Sequence, residues 1–296
     1  MSLVVRSPAK INWTLRVVGR RRDGYHEIES LVSAVSLYDE LAFSPRTDSR
    51  FVLISDDPAV PTDERNLICR AAAIAAREAA EPTGLDCRLT KRIPIGGGLG
   101  GGSSNGAATL LALNRLWSLN WPTERLLTEA GRLGSDVPFF ILGGTAVIAG
   151  RGEQVRPARL PWRGWIVLLM PGFSVSTAEV YRAWHSASGR PVSTRVCHPG
   201  GDSRSNSGPD EAAPPAAKWM AGAYNMLEEP AMSVCPALRG LVGRATQLVG
   251  RPVRISGSGS TLYTAFDFED EAQRAADSLS RELQLRTDVV QPVEGT

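Results

Sequence analysis

Between Arg92 and Trp117 the chain reads RIPIGGGLGGGSSNGAATLLALNRLW, with six glycines in the seven residues from Gly96 to Gly102. No other stretch limits the possible folds as much. Without a Cβ, a glycine backbone can approach a ligand closely and take positive φ. The residues in front, LDCRLTKRIPI, alternate as a strand does, and from Asn105 onward Ala107, Leu110, Leu111 and Leu113 form a broad helical face. A strand, then glycines, then a helix is an anion-binding arrangement, because the free N–H groups at a helix N-terminus point at a phosphate. Ser103 and Ser104 can cap that helix, or donate hydroxyls to a phosphate or to a magnesium ion held there. A flexible linker would not be abutted directly by a strand and an amphipathic helix.

Several nucleotide-binding classes do not fit. A Walker loop ends in Gly-Lys-Ser/Thr, and no lysine follows Gly102. Gly96, Gly98 and Gly101 satisfy GxGxxG, but almost any run this rich in glycine does, and the block before it is not an opening βαβ series. The HRD and DFG elements of protein kinases are absent.

With 296 residues the chain suits one large or two medium domains, and 43% hydrophobic against 22% charged residues suits a packed core. A net charge of +2 gives no general argument for a nucleic-acid or membrane partner. The run Arg20, Arg21, Arg22 reads as a solvated turn. Cys69, Cys87, Cys197 and Cys235 form no CxxC pair and do not cluster with His26, His185 or His198, so a reduced, cytoplasmic protein without a structural metal is expected. The N-terminal residues lack the apolar core of a signal peptide, and no segment approaches a membrane span.

Along the chain, LVVRSPAKINWTLRVVGRR predicts two short strands around a turn at Pro8. Asp23-Gly24 is a turn, followed by another extended segment. RNLICRAAAIAAREAA predicts a helix, and TERLLTEAGRLG a second one with Thr123 as N-cap and Gly134 as stop. GWIVLLMPG predicts a buried strand, and 186–215 a long mobile polar loop. AYNMLEEPAMSVCPALRGLVGRATQLVG reads as helical with proline interruptions. PVRISGSGSTLYTAFD reads as two strands around a glycine turn, EDEAQRAADSLSREL as an amphipathic helix and TDVVQPV as a last strand.

PIGGGLGGGSSNGAATLLALNRLW resembles the phosphate loop of the GHMP small-molecule kinases, which include galactokinase, homoserine kinase and mevalonate kinase. SPAKINWTLRVVGRRRDGYHEIESLV, LGSDVPFF and RISGSGSTLYTAF resemble, in order, further motifs of members acting on a cytidine-diphosphate-linked polyol. The resemblance implies a two-domain α+β fold. A ribosomal-protein-S5-like domain over 1–155 would carry the phosphate loop, a ferredoxin-like domain over 156–296 would carry the polar loop, and the site would lie between them. It also implies transfer of the ATP γ-phosphate to the 2-hydroxyl of a cytidine-diphosphate-linked methylerythritol in non-mevalonate isoprenoid biosynthesis. ATP and Mg2+ would be the cofactors and small molecules the partners, with the chain a monomer or homodimer.

A carboxylate can take the proton of an acceptor hydroxyl, and Asp136, at a turn before a Pro138 expected to end a helix, matches that role; alone it would equally cap the turn. Lys10 can hold Asp136 ionised and counter charge on the transferred group. Asn12, two positions along on the same strand face, would hydrogen-bond the substrate hydroxyls. The resemblance assigns ATP phosphates to Pro94, Gly96, Gly97, Gly98, Leu99, Gly100, Gly101, Gly102, Ser103 and Ser104, with Ser103 as a magnesium contact. Asn66 and Lys91 match positions near the adenine. His26 would bond the cytosine edge with Tyr25 packed nearby, Tyr181 would cover the other face, and Thr177 would bind the polyol. Gly257 and Gly259 make a second turn, either a simple hairpin or a close approach to the cleft. Trp13 stands where a smaller aliphatic residue is usual and would narrow the pocket, and Met226 replaces a common acidic residue. Another GHMP kinase with a mevalonate or homoserine acceptor, or a non-catalytic nucleotide-binding protein, are the alternatives; the DGYHE block opposes the first, and the intact Lys10, Asp136 and glycines oppose the second.

Overall fold

The structure, a computed structural model, describes residues 2–79, 82–187 and 215–295; of the expected polar loop, 188–214 lies outside the described residues. Its ends are ordered elements, Ser186 in a helix and Pro215 capping the next one.

The first sheet is built on a long antiparallel pair, β1 (Leu3–Arg20) and β2 (His26–Pro45). The two short strands expected around Pro8 are instead one strand of 18 residues, with a register shift between Pro8 and Ala9. Proline cannot donate to the ladder, and the irregularity accommodates it without ending the strand. The two halves of β2 part company: 40–45 pair with β4 (Leu85–Thr90), beside which β3 (Phe51–Ser55) runs parallel. Residues 28–33 pair with β5 (Thr145–Gly150), which continues to β6 (Gln154–Pro157). The helices of this half are α1 (Leu67–Ala76), α2 (Gly101–Leu116), α3 (Thr123–Leu133) and α4 (Val137–Leu142), with α2 against β1 and β2. Pro122, not Thr123, occupies the N-cap position of α3, and Gly134 ends it as expected.

The second half contributes α5 (Thr177–Ala187), α6 (Ala216–Gly222), α7 (Glu228–Val234), α8 (Pro236–Val249) and α9 (Glu269–Leu283). Its antiparallel sheet comprises β7 (Trp165–Met170), β9 (Arg254–Ile255), β10 (Leu262–Phe266) and β11 (Arg286–Val290), in the order β11-β7-β10-β9. The strand and helix sequence through this sheet is the split βαβ pattern of a ferredoxin-like domain. The boundary expected at 155/156 falls inside β6.

The halves interlock. β8 (Tyr224–Asn225), expected to be helical, pairs in parallel with Thr14 and Leu15 of β1 and so joins the first sheet. The chain end returns too, with the Ser36 amide donating to Gln291 O at 2.9 Å. Trp13 is fully buried, and its ring meets Trp162, Trp219 and Tyr263 edge to face at 5.5, 5.6 and 5.6 Å. Its indole N–H donates to Ser33 Oγ at 2.8 Å. Trp13 therefore does not narrow the cleft as expected; it fills the contact between the halves. Trp13→Ala should lower unfolding free energy by about 3–5 kcal/mol in denaturant titrations, and Trp13→Phe by clearly less.

Candidate active site

The glycine loop is shaped by what surrounds it. Gly96, Gly98 and Gly100 have φ of 69°, 77° and 71°. A Cβ on Gly98 would lie 2.3 Å from Ser256 O, and one on Gly100 would lie 2.9 Å from the Phe140 ring and 3.0 Å from Lys10 Cγ. The second glycine turn thus packs directly on the first: Ser256 Oγ donates to Gly98 O at 3.1 Å, and the Thr261 amide to Gly97 O at 3.0 Å. Asn225 secures that turn, donating through Nδ2 to Ile255 O and Gly257 O at 2.9 and 2.7 Å. Helix α2 starts at Gly101, earlier than its apolar pattern indicates, with Gly100 at the cap.

The entry to the loop hangs on Asp39. Its carboxylate is fully buried and accepts from the amides of Arg92 (2.7 Å) and Ile93 (2.8 Å), from Asn105 Nδ2 (3.0 Å) and from Lys91, whose Nζ is 3.0 Å away. Lys91 Nζ also donates to Ile93 O. Opposite Asp39 on β1, Ser7 Oγ lies 2.7 Å from both Ser104 Oγ and Asn105 Oδ1.

Lys10 and Asn12 project from the same face of β1, with Lys10 Nζ donating to Asn12 Oδ1 at 2.6 Å. Asn12 Nδ2 passes the bond on to Ser30 Oγ at 2.8 Å, and its carbonyl accepts from Tyr263 at 2.8 Å. Asp136 Oδ2 is 3.7 Å from Lys10 Nζ. Asp136 occupies the N-cap position of α4, and Pro138 lies in the first turn of that helix, so the proline opens a helix where it was expected to end one. Gly257 crosses close by: a Cβ there would be 3.3 Å from Asn12 Oδ1 and 3.6 Å from Lys10 Nζ.

Farther along, His26 stacks on Tyr181 with centroids 4.7 Å apart, and Trp184 meets it edge-on at 5.6 Å. Burial, Arg20 and His185 hold the His26 pKa below its ordinary value, so the imidazole is neutral at pH 7. His26 Nε2 is buried and has no hydrogen-bond partner among the described residues. Tyr25 is 54% exposed and lies under the Arg151 guanidinium, 5.0 Å from the ring centroid. Thr177 Oγ1 is 2.8 Å from Ser258 Oγ.

Lys10, Asn12, Tyr25, His26, Asp136, Thr177 and Tyr181 line one cleft of about 1230 Å³, which continues past the glycine loop to Asn66, Leu67 and Leu89. Across this cleft, residues 66–144 match the GHMP kinases N terminal domain, and residues 212–285 the GHMP kinases C terminal. The chain is 34% identical to a 4-diphosphocytidyl-2-C-methyl-D-erythritol kinase of Bacillus cytotoxicus over 94% of this chain and 93% of that one. The chain belongs to the GHMP kinase family. A relative of the same name from Methylococcus capsulatus is 37% identical over 95% of this chain and 89% of its own. A crystal structure of 4-(cytidine 5'-diphospho)-2C-methyl-D-erythritol kinase superposes with a TM-score of 0.75 at 35% identity, covering 98% of this chain and all (100%) of the other. Homoserine kinase from Cytophaga hutchinsonii, at 18% identity and a TM-score of 0.68, shares the fold.

Within this GHMP kinase cleft not every expected residue faces the ligand space. Pro94, Gly96, Gly97, Gly98, Gly100, Gly101, Gly102 and Ser103 line it, as do Lys10, Asn12, Tyr25, His26, Asp136, Thr177, Tyr181 and Gly257. Leu99 is buried in the core, and only its carbonyl serves the site, accepting from the Lys10 amide at 2.9 Å. Ser104 is buried toward Ser7, and Gly259 sits behind the turn, where a Cβ would lie 3.2 Å from Ile255 Cγ2. Lys91 reaches the cleft wall, but its ammonium is committed to Asp39. Asn66 caps α1, accepting from the Ile68 amide at 3.0 Å, and also lines the cleft. Met226 extends the β1–β8 pairing through its amide to Leu15 O at 2.9 Å. Of the basic run, Arg21 pairs with Asp23 and Glu27 at 3.0 and 2.8 Å, while Arg20 lines the cleft.

Sequence reading missed Asp39 and Asn225. The signal for Asp39 was present: it shares the inward register of Leu37 and Leu41, where a carboxylate is out of place without partners. Asp39→Asn keeps an acceptor for the amides but leaves the Lys91 ammonium buried and uncompensated. It should destabilise the fold by about 3–5 kcal/mol. Adding Lys91→Met should recover part of that loss, read as non-additivity in thermal or denaturant unfolding.

Proposed function

We propose that this protein is an ATP-dependent kinase that phosphorylates the 2-hydroxyl of 4-diphosphocytidyl-2-C-methyl-D-erythritol, in non-mevalonate isoprenoid precursor biosynthesis. The observation that carries the reading is the placement of Lys10, Asn12 and Asp136 between the glycine loop and the His26 and Tyr25 pocket, within one cleft. The loop and the N-terminus of α2 receive the triphosphate through backbone N–H groups. The neutral imidazole of His26 lines the same cleft, and one ring nitrogen, as donor or as acceptor, would bond the edge of a cytosine.

The acceptor hydroxyl lies against Asp136, which takes its proton as the new P–O bond forms. Lys10, 3.7 Å from the Asp136 carboxylate, faces the negative charge on the transferred phosphoryl group. Asn12, fixed by Ser30, orients Lys10. The cleft lining beside the glycine loop offers a hydroxyl and backbone groups, which fits a cation carried chiefly by the ATP phosphates. Magnesium bound there supplies charge neutralisation, and Ser103 is the hydroxyl that would contact it. Cytoplasmic residence, and a monomeric or homodimeric state, belong to the same proposal. Among the described residues no helix is long and apolar enough to cross a membrane.

A coupled ADP-release assay should give turnover with 4-diphosphocytidyl-2-C-methyl-D-erythritol and none with mevalonate or homoserine; the reverse pattern would reject the substrate. Asp136→Asn should lower kcat by roughly 10²–10⁴-fold with both KM values little changed. Lys10→Met should also cost rate, and the double variant should be less than additive because the two act as a unit. His26→Ala should raise the KM of the cytidine substrate well above any change in the KM of ATP, and equal effects on both would remove His26 from the base pocket.

A further inference from the structure

The walls of the cleft are strongly one-sided in charge. Among the described residues lining it, Lys10, Arg20, Arg65, Lys91, Arg151 and Arg182 are cationic, and Asp136 is the lone carboxylate. Lys91 is held by Asp39 at 3.0 Å, and Lys10 donates to Asn12 at 2.6 Å with Asp136 3.7 Å away. Arg65 pairs with Asp63 at 2.7 Å, and Arg182 lies 3.8 Å from Glu179. Arg20 is exposed at the end of β1. Arg151 differs: it is half-buried, at the tip of the β5–β6 hairpin, and its position is fixed at both ends.

At the backbone end, the Arg151 amide donates to Glu153 Oε2 at 2.7 Å. The next residue, Gly152, has φ 121°, and a Cβ on it would lie 3.3 Å from Asp136 Oδ1. At the other end the guanidinium rests 5.0 Å from the Tyr25 centroid. The side chain therefore spans from beside the proposed base to the pocket proposed for cytosine. Two carboxylates share its field. Glu153 is 3.7 Å away, a loose pair, and Asp23 is already bonded by Arg21 at 3.0 Å. The positive charge of Arg151 is thus only partly met within the protein.

We infer that Arg151 recognises the diphosphate bridge of the nucleotide-linked substrate and thereby selects a cytidine diphosphate derivative over a neutral acceptor. The inference rests on the reading given under Proposed function. In such a substrate the diphosphate joins the base-bearing end to the hydroxyl-bearing end, so it must cross the span that Arg151 covers. A guanidinium suits the task because its planar fork binds phosphate oxygens in pairs and also stacks on an aromatic ring. The loose Glu153 contact can be exchanged for phosphate without leaving a buried charge unpaired, since both side chains are partly exposed.

The test is calorimetric titration of the wild-type protein and of Arg151→Gln with cytidine and with cytidine diphosphate. Glutamine retains part of the aliphatic stem but no charge. Cytidine diphosphate should bind the variant about 10- to 100-fold more weakly, as expected for loss of a charge-assisted contact, while cytidine affinity stays within about twofold. Added salt should weaken cytidine diphosphate binding to wild type more steeply than to the variant. In turnover, the KM of the cytidine substrate should rise and that of ATP should not. Equal losses for cytidine and cytidine diphosphate would mean that Arg151 only orders Tyr25, and no loss for either would remove it from recognition; each outcome overturns the inference and leaves the proposed kinase reaction intact. Failure of the wild-type protein to bind either cytidine compound would instead overturn the substrate reading, and the inference with it.

Discussion

A carboxylate with no exposure to water sets the geometry of the nucleotide end. Asp39 receives two backbone amides, a lysine ammonium and an asparagine amide, drawn from the segment before the glycine loop and from the helix after it. A run of glycines has no side chains with which to hold its own shape, and it loses more conformational entropy on ordering than any other sequence. Its ends must be fixed from outside. Asp39 does this from β2, Ser7 assists from β1, and the loop that results is a property of the sheet beneath it. Burying the charge is tolerable because it is fully hydrogen-bonded; with any partner missing it would disrupt the site it now organises.

The loop is also shaped from above. The turn at 256–261 presses on Gly97 and Gly98 so closely that no Cβ fits at Gly98, and Gly257 passes within reach of Lys10 and Asn12. Neither half of the protein contains a complete site. The glycine loop, Lys10 and Asp136 come from the first half, while Tyr181, Thr177 and the second glycine turn come from the other. The Trp13 cluster, the β8 strand and the return of the chain end to Ser36 hold the halves in that relation. These contacts far from the chemistry fix the distances on which phosphoryl transfer depends, since positioning supplies much of its catalysis.

The parts of this arrangement that were legible in the sequence are those written in local pattern. The glycine run, the strand before it and the DGYHE turn declared themselves by composition and spacing, and the order of motifs identified the fold. Lys10 and Asp136 are 126 positions apart by their numbers, yet their motifs pointed to one site. What escaped depended on contacts between distant segments. Ser104 looked like a phosphate ligand because it follows glycines, but helix periodicity turns it one position past Ser103 and into the core. Trp13 looked like a pocket residue because it neighbours Asn12, but strand alternation sends it to the opposite face. Both periodicities were available in the sequence; the partner surfaces that decide which face is inside were not.

The charge asymmetry of the cleft bears on how Asp136 works. Both proposed substrates are polyanions, so a wall of arginines and lysines lowers the cost of bringing their phosphates together. The same wall faces the one carboxylate among the described lining residues, and the Lys10 ammonium lies 3.7 Å from it. Strong basicity in that carboxylate would matter most if proton removal had to precede attack. In a loose transition state the hydroxyl keeps its proton until late, when bonding to phosphorus has already acidified it. In the proposed reaction Asp136 then needs to be correctly placed more than it needs to be strongly basic. Lys10, with its ammonium 3.7 Å from that carboxylate and bonded to Asn12 at 2.6 Å, is placed to counter charge on the group that the proposed reaction transfers.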